Sequence, residues 1–324
     1  MDYITLSNGV KMPQLGYGVF QVTQEECERC VLDALKAGYR AIDTAQSYYN
    51  EEQVGAAIEK TGVDRKDIFL TTKVWVEHYG YEKAKASVLD SMEKLRTDYL
   101  DLCLLHQPYS DYYGAWRALE ELYEEGKIRA IGVSNFYPDR LVDICSFSRI
   151  KPMVNQVEVH PFYQQEEAKK WMDKYSVQIE AWAPFGEGRG NMFQNPVLNE
   201  IGKKYGKSAA QVILRWHLQR GVVVIPKSTH IERMQENLNV FDFALSAGDM
   251  ARIAALDTKM SAFFSHYDPA KVEWFANMVE ERKKNHDCTK EKKDMYSRNL
   301  FVLDFARRFF VNCAQILRRT RCVR

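Results

Sequence analysis

The sequence contains no uninterrupted apolar run approaching the ~20 residues of a membrane-spanning helix. The start, Met1-Asp2-Tyr3-Ile4-Thr5, has neither a basic segment nor an apolar one behind it, so no secretory signal is expected. Net charge is small, +1 over 324 residues, but it is unevenly spread. Residues 290–324 carry ten Lys/Arg against three Asp/Glu, a net of +7, which leaves −6 on the rest. The body is mildly acidic and nothing there suggests a nucleic-acid surface, so no nucleic-acid partner is expected. Seven cysteines, an odd number spread along a long chain, read as reduced thiols and point to the cytoplasm. There are no closely spaced metal ligands and no nucleophile set beside a base, so no metal is expected. Internal repeats and low-complexity linkers are missing as well.

What is present is ordinary in bulk and specific in pattern. Hydrophobic residues at 46% and charged residues at 27% suit a soluble globular chain. Residues 4–12 form two short alternating segments around Ser7-Asn8-Gly9, a hairpin signal. Apolar runs at 16–20, 39–42, 68–73, 99–105, 128–133, 153–159, 177–183 and 222–225 then alternate with helical patterns. Helices are expected at 24–37, 51–60, 81–95 and 116–125. Alternation of this kind builds βαβ units and a parallel sheet. Eight strands with intervening helices argue for an α/β fold closed into a (β/α)8 TIM barrel.

Barrel enzymes keep their chemistry where strands end. The second run stops at Asp43, with Tyr48 in the loop beyond it; the third stops at Lys73, and His106 follows the fourth. Each residue alone has a plain reading as a solvated charge or a structural histidine. Four together on consecutive strand ends make an acid–base set. A free tyrosine titrates near ~10 and is a poor acid at neutral pH unless a cation lowers its pKa. Lys73 is expected to supply that charge, Asp43 to hold the ammonium, and His106 to hydrogen-bond a carbonyl oxygen. A tyrosine acid aimed at a carbonyl suggests reduction, with hydride arriving from a cofactor.

The motifs Gly38-Tyr39-Arg40-Ala41-Ile42-Asp43-Thr44-Ala45-Gln46-Ser47-Tyr48, Lys73 and Leu104-Leu105-His106 resemble those of the aldo-keto reductase superfamily. Ile131-Gly132-Val133-Ser134-Asn135-Phe136 and Ile225-Pro226-Lys227-Ser228 resemble its later signatures. The likeness runs over about residues 6–268 and leans towards the bacterial branch that includes diketogluconate reductases. It implies a barrel plugged at its base by the hairpin, binding NADPH in an extended pose without a Gly-rich dinucleotide loop.

By the same resemblance, Ser134, Asn135 and Gln156 hydrogen-bond the nicotinamide carboxamide and Trp182 stacks on its ring. Phe185 and Gly186 open a Gly-rich stretch, 184–190, able to fold over a pyrophosphate. Arg233 and Asn237 are four apart and share a helix face, just after Lys227, Ser228 and Thr229, with Glu236 between them. Cations and a hydroxyl near a helix start suit phosphate. The match to the family's 2′-phosphate site favours NADP over NAD. Phe20, Trp75 and Tyr48, with His106, are expected to line the substrate mouth. Gln107-Pro108 departs from the aromatic-Pro pair common in animal relatives.

The expected function is NADPH-dependent reduction of aldehydes or ketones, including sugar-derived dicarbonyls; the rival is an NADPH-binding barrel acting as a sensor or scaffold. The barrel is expected over residues 1–285 and a basic amphipathic extension over 286–324. The apolar face of the extension suits packing on the barrel; its basic helical face also suits an anionic membrane surface or a partner groove, the one route to a membrane; or the extension has no role. A monomer is expected.

Overall fold

The computed structural model describes residues 2–282 and 284. It opens with the hairpin: β1 (Tyr3–Thr5) pairs antiparallel with β2 (Lys11–Pro13), Tyr3 opposite Pro13. Gly9 takes a left-handed φ of +87°, which the Asn-Gly turn allows without a Cβ clash. The Asn8 side chain donates to the Arg129 carbonyl at 2.9 Å and so ties the turn to the body.

Eight parallel strands follow. They are β3 (Tyr17–Gly18), β4 (Ala41–Asp43), β5 (Phe69–Val74), β6 (Leu102–Leu105), β7 (Ile131–Ser134), β8 (Val154–Glu158), β9 (Gln178–Trp182) and β10 (Val223–Val224). Each pairs with the next along the chain. The sheet then closes on itself. Gly16 N donates to Val224 O at 2.8 Å, Val224 N to Gln14 O at 3.0 Å, and Gly18 N to Pro226 O at 3.2 Å. Glycine is needed at this seam, since a Cβ on Gly18 would come within 3.1 Å of the Ile225 carbonyl oxygen.

Between and after the strands lie α1 (Gln24–Ala37), α2 (Glu51–Lys60), α3 (Tyr81–Lys94), α4 (Tyr112–Glu124) and α5 (Pro138–Phe147). Then come α6 (Glu166–Tyr175), α7 (Pro196–Tyr205), α8 (Ala209–Gln219), α9 (Ile231–Leu238) and α10 (Ala247–Ala254). The first two match the expected spans. Helix α4 begins four residues before the apolar pattern does, because Asp111 caps it by accepting from Gly114 N at 2.8 Å. The apolar runs at 16–20 and 222–225 outlast the regular pairing, which covers two residues of each.

Alternation along the strands decides what enters the barrel. In β5, Thr72 faces α2, where its hydroxyl donates to Glu51 at 2.6 Å, so Lys73 faces inward. Strand β6 is wholly buried and apolar, and each buried leucine contributes ~1.5–3 kcal/mol. Met1–Asp268 form one compact unit. Residues 269–282 are helical, with the Trp274 ring edge-on to Phe275 at 4.9 Å. The expected boundary after residue 285 and the extension 286–324 lie outside the described residues. Among the described residues, no helix is long and apolar enough to cross a membrane.

Candidate active site

Strand β4 ends at Asp43, and a short 3-10 turn over Gln46–Tyr48 brings the tyrosine back over the barrel mouth. Register sets Asp43 beside Thr71 on β5, one inward position below Lys73. Lys73 Nζ donates to Asp43 Oδ1 at 2.5 Å, to Thr44 O at 2.9 Å and to the Tyr48 hydroxyl at 3.2 Å. An ammonium has three donors, and all three are used. Lys73 is 0% exposed. Burial alone would push its pKa down, but Asp43 and Tyr48 outweigh that and leave it above the ordinary lysine value. The lysine is therefore charged inside the barrel.

The expectation for Tyr48 needs a correction. Lys73 does draw the phenol's pKa down, but burial pushes it up further, and the net lies above the ordinary value of 10.0. Taking a phenolate out of water costs more here than one neighbouring ammonium returns, and Asp43 adds to the rise. Tyr48 consequently keeps its proton at neutral pH, as a donor must.

His106 follows β6 and is buried. Burial first, then the Lys73 charge, holds its pKa well below 6.5, so the imidazole is neutral. Its Nδ1 lies 3.4 Å from Ser47 Oγ, and the Trp75 ring stands edge-on at 5.0 Å. A neutral imidazole still carries one N–H, so Tyr48 and His106 present two donors at one mouth. Phe20, 49% exposed, covers the other side, 5.0 Å from the Tyr48 ring.

The residues expected at the nicotinamide are joined to this set. Ser134 Oγ donates to Gln156 O at 2.9 Å. Asn135, at a left-handed φ of +64°, donates to the His106 carbonyl at 3.1 Å and accepts from Trp182 Nε1 at 2.9 Å. Gln156 Nε2 donates to Asp43 Oδ2 at 2.9 Å and to Glu180 Oε2 at 2.9 Å.

The phosphate group of residues is less uniform. Lys227 and Arg233 are exposed, and no carboxylate among the described residues pairs with either, so both cations are open to an anion. Ser228 is buried; its carbonyl accepts from Tyr17 at 2.5 Å and its hydroxyl accepts from His230 N at 3.1 Å. Thr229 is half-buried, with its carbonyl 3.4 Å from Arg29. Asn237, on α9, is buried against the Tyr39 hydroxyl, so the edge of the core passes between it and Arg233. The Glu236 carboxylate accepts from Ser208, the cap of α8, and in this structure faces that helix. Phe185 packs on Phe193 at 5.4 Å across the loop that Gly186 begins. Arg189 of that loop lies 4.3 Å over Phe263 and donates to Ala262 O at 3.0 Å.

Three features were passed over in the sequence. Glu180 is a buried carboxyl two residues before Trp182, on the same inward face of β9; a charge in an apolar strand was the available signal. Gln107 accepts from His266 Nε2 at 3.0 Å, which ties the segment after α10 to the end of β6. No local pattern links residues so far apart. Cys27 and Cys30, a C-x-x-C spacing, lie one turn apart on α1; both are free and buried, and burial pushes the Cys27 thiol up to about 12.

A sequence model of the aldo/keto reductase family matches residues 6–258. The glyoxal reductase of Bacillus subtilis is 50% identical over 258 residues, 79% of this chain and 93% of the relative. The methylglyoxal reductase of Escherichia coli is 41% identical over 257 residues, 78% and 93% of the two. Among solved structures, the Bombyx mori aldo-keto reductase in complex with NADP is 31% identical, with a TM-score of 0.78 over 81% of this chain and 95% of that one. Half the residues shared with a reductase along nearly its whole length, on a barrel that superposes with another, leave one conclusion: this chain belongs to the aldo/keto reductase family.

Proposed function

We propose that this chain reduces small aldehydes, α-oxoaldehydes and sugar-derived dicarbonyls among them, with Tyr48 as the proton donor. As a family member it is an NADP-dependent oxidoreductase. Bound NADPH supplies the hydride. The carbonyl oxygen sits between the Tyr48 hydroxyl and the His106 N–H. As hydride adds to the carbon, the C=O π pair moves onto oxygen, which takes the Tyr48 proton. Lys73, fixed by Asp43, stabilises the phenolate left behind. Ser134, Asn135, Gln156 and Trp182 would orient the nicotinamide, and Lys227, Ser228 and Arg233 would take the 2′-phosphate.

One observation carries the reading, the Lys73 ammonium shared by Asp43 and Tyr48 at 2.5 and 3.2 Å. A structural lysine has no need of a tyrosine at the barrel mouth as its third partner. The names of the glyoxal and methylglyoxal reductases support the substrate class. We further propose that the chain acts as a monomer in the cytoplasm, which the buried thiols suit.

The test is NADPH absorbance with glyoxal, methylglyoxal and para-nitrobenzaldehyde, with NADH in parallel. Oxidation with the first two above the rate of a buffer control is expected. No oxidation with any of the three would leave the reading without support.

A further inference from the structure

Strand β9 turns Glu180 into the barrel, where it is 1% exposed. Register sets it level with Gln156 on β8 and Val223 on β10. The Gln156 amide nitrogen donates at 2.9 Å to Glu180 and at 2.9 Å to Asp43, so one amide ties two buried carboxyls together. Of the two, Asp43 holds the Lys73 ammonium. The chemistry described above gives Glu180 nothing to do.

We propose that Glu180 is a positioning residue for the reduction, acting on Asp43 through the shared Gln156 amide, and that loss of its proton slows the reaction on the alkaline side. The proposal rests on the reductase reading above.

The groups that face Glu180 are Asp43 from β4, Lys73 from β5, Gln156 from β8 and the aliphatic Val223 from β10, with Tyr48 at the rim. Asp43 already matches the one positive charge. A second carboxylate would leave the enclosure negative, which a buried site opposes. Burial, then the Asp43 charge, pushes the Glu180 carboxyl up to about 8. Tyr48 and Lys73 lie above their ordinary values and His106 well below its own. When Glu180 ionises, its charge repels Asp43 and competes for the Gln156 donors. It also opposes the negative charge that grows on the carbonyl oxygen as hydride arrives.

Glu180→Gln keeps the shape and the acceptor for Gln156 but cannot ionise. Wild type and variant are compared in NADPH-dependent reduction of para-nitrobenzaldehyde from about pH 6 to about pH 10, with infrared spectra over the same range. Wild-type kcat is expected to fall about tenfold between about pH 7 and about pH 9, while the variant keeps most of its rate. The wild-type spectrum should lose a protonated-carboxyl band over that interval, and the variant should lack the band. Glu180→Asp covers the case in which the amide variant does not fold, and its alkaline limb should move relative to wild type. Superimposable pH profiles in an active enzyme overturn the role of Glu180 alone. A wild type that shows the band but reduces nothing overturns the reductase reading, and this role with it.

Discussion

Lys73 holds its ammonium 2.5 Å from the Asp43 carboxylate, with no solvent at the lysine side chain. Removing one member of such a pair strands the other as an uncompensated buried charge. Asp43→Asn is therefore expected to cost about 3–5 kcal/mol in urea unfolding, along with most of the turnover. Adding Lys73→Met should restore much of the stability and none of the activity. An unchanged unfolding midpoint in the single variant would mean that water, not Asp43, satisfies the ammonium.

Tyr48→Phe keeps the ring that packs on Phe20 and removes the hydroxyl that Lys73 contacts. Turnover should fall by about 10²-fold or more, the usual scale for a general acid. NADPH binding, followed by protein fluorescence, should stay within twofold of wild type, about 0.4 kcal/mol. Near-normal reduction would remove Tyr48 from the mechanism.

Arg233 is exposed and has no carboxylate partner among the described residues, so its replacement disturbs little of the described fold. A charge-assisted contact to phosphate is worth ~1.5–3 kcal/mol. Arg233→Ala should weaken NADPH binding by about tenfold or more and leave NADH nearly untouched. Equal losses in calorimetric titrations of the two cofactors would show that Arg233 does not read the 2′-phosphate.

Acid should loosen the barrel through its buried histidines. Burial holds His266 at about 4 against 6.5 for a free imidazole, so between these values the unfolded chain binds the proton and the folded one does not. The stability it contributes is whole above pH 6.5 and is lost as pH falls towards 4. At pH 5 the loss is about 2 kcal/mol, and His106 acts in the same direction. Urea midpoints at the two pH values should show it, and His266→Asn should shrink the difference. An equal acid loss in that variant would clear His266.

The four residues proposed for catalysis were legible because Asp43, Lys73 and His106 stand at or near the ends of apolar runs, with Tyr48 in the loop just beyond the first, and the barrel brings successive strand ends to one rim. Lys73 is the clearest case: a charge next to the end of a six-residue buried strand has to find partners inside. Glu180 was not legible by that rule, since it lies in mid-strand and the run continues through Ala181 and Trp182. The direction of the Tyr48 shift was out of reach for another reason. It depends on how much water the fold removes from the phenol, and burial depth is not written in residue spacing. Glu236 illustrates a third limit: helical spacing placed it beside Arg233, yet the cap of a different helix takes its carboxylate.

The seam has a consequence for motion. Strands β3 and β10 contribute two paired residues each, while β8 and β9 share a five-residue register. A closed cylinder opens first at its thinnest joint, so amide exchange should be fastest near Leu15 and Val224 and slowest along β8 and β9. Tyr17 crosses that joint to hold the Ser228 carbonyl. Whatever settles on Ser228 and Arg233 would draw the two edges together, and protection of the seam amides would then record occupancy without any chemistry taking place.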